Sequence, residues 1–185
     1  MRTLVAIVMA LGATGGASTL SAQRIGPTAS VGIAVPIGGY GTHRTAGPVV
    51  RGGLALGAPD HRVEWRLEGE GAWLLDRSGS PAVGGSSDGT LRSIAIFGSL
   101  VAGPRHLRDA PYVILAAGPE WIRVQGAVNP YGAVTGVRAG VGYRIRGQRM
   151  SWLAELAVHA VLSDFGTGQE YTAGTYVPIT VGLQF

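Results

Sequence analysis

An all-β chain that closes eight antiparallel strands into an up-and-down transmembrane barrel, made behind a cleaved N-terminal signal peptide, is the architecture this sequence predicts. Three observations carry it. The chain is 46% hydrophobic and only 14% Asp, Glu, Lys or Arg, yet beyond its first segment no apolar run is long enough for a spanning helix. Apolar and polar residues alternate one by one through a series of separate runs. The last ten residues alternate strictly and stop on an aromatic, Phe185.

Composition sets the frame. Soluble domains carry about 25% charged residues, so part of this surface is expected to meet something other than water. In lipid every backbone polar group must be satisfied internally, which leaves helices and closed barrels. The length, 185 residues, suits one domain. There is no cysteine, which excludes a disulfide framework, a thiolate metal site and a cysteine nucleophile. The formal charge is +4 and all fifteen basic residues are arginine. They are spread along the chain without a basic run or interleaved aromatics, so no nucleic-acid partner is expected.

Residues 1–22 read as a signal peptide. Met1-Arg2-Thr3 is a short positive start, Leu4–Gly12 an apolar core, and Leu20-Ser21-Ala22 a cleavage site of small residues before Gln23. The apolar core is too short to span, and no cysteine follows the site, so no lipoprotein is made. The expected mature domain is 23–185.

Eight strands are predicted in that domain: Thr28–Ile37, Pro48–Gly57, Arg62–Leu75, Thr90–Ala102, Tyr112–Ile122, Gly132–Ile145, Ser151–Leu162 and Tyr176–Phe185. The second, fourth and sixth connections are the shorter ones. Short turns at one end and longer, glycine- and serine-rich loops at the other are the pattern of an outer-membrane barrel.

Alternation assigns the faces. From Val63 to Trp73, apolar residues and glycine hold the odd positions, while Glu64, Arg66, Glu68 and Glu70 share the other side. Arg138 and Arg144 lie opposite Val137, Val141 and Tyr143; Glu155 and His159 lie opposite Trp152, Leu156 and Val158. Arg51 and Glu120 complete the charged set. A soluble lipocalin-like barrel would put the apolar face inside, and a solvated sheet would carry the same charges in water. The inverted arrangement is preferred because Trp65, Trp73, Trp121 and Trp152 sit on the apolar face towards strand ends, as an interfacial girdle requires. The other face is rich in glycine and alanine, and its charges have both signs. A lumen filled by an Arg/Glu ion-pair network follows as the expectation.

The segment Tyr176, Val177, Pro178, Ile179, Thr180, Val181, Gly182, Leu183, Gln184, Phe185 closely resembles the C-terminal strand of outer-membrane β-barrels. Together with the length and the eight runs, it resembles the OmpA/OmpX-like eight-stranded family. The resemblance implies that Tyr176, Val177, Ile179, Val181, Leu183 and Phe185 form an assembly signal read by the barrel assembly machinery. It also implies periplasmic chaperones in transit, and outer-membrane lipid and lipopolysaccharide as the surroundings. Pro178 departs from the pattern and demands a site without a ladder N–H, or a bulge.

Catalytic and metal motifs are not found. His43, His61, His106 and His159 have no ligand partner at metal spacing, and no cofactor is expected. Lipid A deacylases of this shape carry a His-x-Ser pair, whereas His159 is followed by Ala160 and Val161. His159 could act as a base with Ser163 or Glu155, but a hydrogen-bonded lumen filler is the preferred reading. Glu68 and Glu70, with Arg66 on the same face, read as ion-pair members rather than a glycosidase pair. The expected role is structural or surface-interacting, with the loop partner unidentified; a narrow porin is the alternative and a lipid A-modifying enzyme the next.

Overall fold

The computed structural model describes residues 24–38, 40–41, 44–57, 62–76, 90–104, 107, 109–124, 131–162 and 174–185. Residues 1–23, which include the expected signal peptide, and His43, His61, His106 and Ser163 lie outside these residues. The strands are β1 (Arg24–Ile37), β2 (Arg44–Thr45), β3 (Gly47–Gly57), β4 (Val63–Asp76), β5 (Leu91–Ala102), β6 (Asp109–Val124), β7 (Tyr131–Arg146), β8 (Ser151–Leu162) and β9 (Gly174–Gln184). Eight of them close an antiparallel ring in which each long strand pairs with its neighbours in sequence and β9 returns to β1. The short β2 extends the β3 side at one rim, pairing Arg44 with Asp76. Against β4, one extra residue lies between the Thr45–Leu75 and Val49–Ala72 pairs, a bulge near Ala46. Strands run further than alternation marked them: β1 begins at Arg24 and β6 at Asp109.

Closure fixes the tilt. Pro27 pairs with Leu54, Leu54 with Leu67, Leu67 with Gly98, Gly98 with Ala117, Ala117 with Val137, Val137 with Ala160, Ala160 with Thr175, and Thr175 with Ile37. The path leaves β1 at Pro27 and returns ten residues further along, at Ile37. Ten residues of stagger over eight inter-strand steps correspond to a strand tilt of about 40°. Two prolines interrupt the ladder without shifting it. Pairing of β8 with β9 lapses between Leu156–Ile179 and His159–Tyr176, around Pro178, and resumes in the same register. Pro119 opens a similar gap between β5 and β6. Pro178 therefore sits where the ladder to β8 is interrupted, while it stays paired with Ala34 of β1, and no bulge forms.

Outward positions are apolar on every strand. Val31, Leu54, Leu67, Ile94, Leu115, Val141, Leu156 and Val181 are all exposed. Trp65 and Trp152 lie towards the end bearing the β3–β4, β5–β6 and β7–β8 turns, and Trp121 and Trp73 towards the loop end. All four face outward.

Candidate functional site

The inward face forms three layers along the axis. At the loop end, Ala34, Tyr40, Val49, Ala72, Leu74, Leu91, Ile122, Val161 and Tyr176 make one buried apolar cluster. At the turn end, Val101, Tyr112, Ile114 and Leu153 make another. Between and around them lie the charges. Arg51, Glu64, Arg66, Glu68, Glu70, Glu120, Arg138, Arg144, Glu155 and His159 are all buried.

These residues form one connected network. Arg144 reaches Glu64 at 3.2 Å, and Glu64 accepts from Arg66 Nε at 2.7 Å. Arg66 Nη1 donates to Glu155 at 2.8 Å, and Tyr112 Oη donates to the same carboxylate oxygen at 2.7 Å. Arg51 bridges Glu155, at 3.0 Å, and Glu70, at 2.5 Å. Arg138 binds Glu70 at 2.7 Å and Glu68 at 2.5 Å, and Ser99 also donates to Glu68. Glu70 then accepts from Tyr176 Oη at 2.8 Å. The chain of contacts ends in His159, Glu120 and Ser93, with Ser93 donating to Glu120. Side chains up to 106 residues apart are brought together because closure places β4 across the lumen from β7, β8 and β9.

His159 lies against two of the carboxylates. Among the described residues, five buried glutamates face four buried arginines. The imidazole puts Nε2 2.8 Å from Glu120 and Nδ1 3.3 Å from Glu70, so both ring nitrogens face carboxylates and the ring is placed to supply the fifth positive charge. Tyr176 stacks on it with centroids 4.3 Å apart, and Phe97 meets it edge-on at 5.3 Å. Gly136 makes room for this cluster: a β-carbon there would lie 2.5 Å from Glu120 Oε2.

The structure places some residues differently from the sequence reading. Tyr176, grouped with the assembly segment, points into the lumen, whereas Ile179, Val181 and Phe185 point out. Beside the charges, glycine and alanine, the lumen also holds Phe97, Tyr112 and Tyr176. Ser93, Ser99, Phe97 and Thr180 were missed. Ser93, Phe97 and Ser99 share a parity on β5, and that signal was obscured because β5 is apolar on both faces.

An apolar exterior, an ionic interior and eight staggered antiparallel strands define an outer-membrane type of β-barrel. No family model and no curated protein sequence matches the chain. Solved structures match over most of their length, two outer-membrane proteins among them. Neisserial surface protein A is 10% identical with a TM-score of 0.63, over 86% of this chain and 95% of that one. The major outer membrane protein of Thermus thermophilus is 13% identical with a TM-score of 0.52, over 89% and 98%. The fold is thus that of the eight-stranded outer-membrane β-barrels.

Proposed function

We propose that this chain is a closed barrel of the bacterial outer membrane with a structural or surface-interaction role. The observation that carries the reading is the filled lumen: an apolar cluster towards each end, and charges of both signs paired with one another between and around them. An eight-stranded barrel has an interior just wide enough for side chains to fill. The continuous apolar exterior supports residence in lipid, and the match to a surface protein supports the surface side of the role. His159, with no exposed surface, is out of reach of a substrate, which speaks against an envelope enzyme.

In this reading residues 1–22 direct export and are removed, periplasmic chaperones escort the chain, and the assembly machinery reads its last strand. Lipid and lipopolysaccharide surround the belt. Planar-bilayer recording tests the central point. The wild type is expected to give small, infrequent events, and Arg66→Ala to raise leakage by releasing Glu64 and Glu155. A steady ion-selective current that disappears on changing Glu68 or Arg138 would replace this reading with a narrow porin.

A further inference from the structure

The lumen has an unused mouth. At the turn end a shallow recess, open to solvent on one side, is lined by Arg62, Arg144, Arg146, Leu107, Pro111 and Tyr112 among others. The fold brings these guanidinium-bearing residues together from separate elements. Gly103 N donates to the Arg62 carbonyl at 2.9 Å, tying the β3–β4 turn to the β5–β6 turn. Arg144 and Arg146 lie on the same side of β7 at its end. Arg144 lies over the Tyr112 ring at 5.5 Å and spends its Nη2 on Glu64. Its Nε is buried and has no hydrogen-bond partner.

Among the described residues three arginines meet at this mouth. Glu64 is shared by Arg66 and Arg144. Among the described residues no carboxylate forms an ion pair with Arg62 or Arg146. Among the described residues Asp109, across from Ile145, is a neighbouring carboxylate, and it takes an outward position on β6. Beside the arginines stand exposed apolar groups, Leu107 and Pro111. A basic recess with an apolar flank fits an anion at a membrane boundary. Arginine recognises phosphate with planar, charge-assisted hydrogen bonds.

We propose that the turn-end mouth of the barrel is a phosphate-binding site formed by Arg62, Arg144 and Arg146. The phosphate comes either from an anionic phospholipid headgroup or from solution. The headgroup source rests on the barrel lying in a membrane, as proposed above.

The test uses the refolded mature chain in zwitterionic micelles, with heat-modifiable gel migration confirming a folded barrel for every variant. Arginine Nε–Hε resonances are followed while inorganic phosphate, phosphatidylglycerol or phosphatidylcholine is added. A saturable shift of the Arg144 signal with phosphate assigns the site to free anion; a shift with phosphatidylglycerol alone assigns it to the headgroup. Arg62→Gln/Arg146→Gln, which spares the lumen network, is expected to weaken binding about tenfold by removing charge-assisted contacts. Arg92→Gln, on the opposite rim, is expected to leave it unchanged. A folded barrel that responds to neither phosphate source, responds equally to phosphatidylcholine, or binds as well in the double variant overturns the site. A chain that never folds into a heat-modifiable barrel overturns the membrane reading instead.

Discussion

His159 Nε2 lies 2.8 Å from Glu120 Oε2 across the wholly buried contact between β8 and β6, and the same ring faces Glu70 with its other nitrogen. Removing one partner of a buried charge pair leaves the other desolvated and uncompensated, at a cost of about 3–5 kcal/mol. His159→Phe keeps a flat ring between Phe97 and Tyr176 but removes the imidazole that faces Glu120, while Glu70 keeps Arg51 and Arg138. It is expected to lower the urea midpoint of the folded barrel in detergent, with a loss of about 3 kcal/mol. An unchanged midpoint would mean that Glu70 and Glu120 are balanced by the arginines alone.

The two faces of β8 make a direct comparison. Leu156 points outward and is 48% exposed, while the adjacent Ala157 is 3% exposed and faces the lumen. An arginine on the lipid face near the bilayer midplane costs about 2–4 kcal/mol. Leu156→Arg is therefore expected to destabilise the vesicle-inserted barrel by that amount. Ala157→Ser, which adds one hydroxyl on the polar side, should change it by less than about 1 kcal/mol. Equilibrium unfolding from lipid vesicles measures both; the reverse order would mean the barrel is inside out.

Tyr112 is paired across the β6–β7 ladder with Gly142, and its ring occupies the space a side chain there would need. A β-carbon at Gly142 would lie within 2.6 Å of the tyrosine hydroxyl oxygen. Gly142→Ala should displace the ring and break its 2.7 Å bond to Glu155, costing about 1–3 kcal/mol. Combining it with Tyr112→Leu should recover part of the overpacking loss. Additive losses in the double-mutant cycle would show that the two positions do not compete for this space.

Phe185 contributes to the seam that closes the ring. Its N–H donates to the Pro27 carbonyl at 3.0 Å, and its side chain is exposed among the outward residues of β9 and β1. Closure satisfies every backbone group in lipid. Deleting Phe185, or Phe185→Asp, is expected to reduce the heat-modifiable, membrane-inserted fraction several-fold while export continues. Fractionation with gel migration gives both quantities; normal insertion would place the assembly signal elsewhere.

Alternation by itself determined the faces. A strand turns its side chains over with a period of two, so the placement of Glu64, Arg66, Glu68 and Glu70 against Trp65, Leu67 and Trp73 was legible from neighbouring residues alone. The same rule separated Glu155 and His159 from Trp152 and Leu156. It was weakest on β5, where Phe97 and Ile96 are both apolar and only Ser93 and Ser99 mark the inner side.

Only the tertiary structure decided which inward residues meet. Arg138 binds Glu68 and Glu70, some seventy residues earlier, because a ten-residue stagger and the closing β9–β1 pair set their relative height. Register and closure are sums over all eight pairings, and no local pattern encodes them. Tyr176 shows the same limit. Its neighbours Val177 and Ile179 share the outward alternation, but its hydroxyl lies 2.8 Å from Glu70 because the stagger carries that carboxylate across the lumen to it.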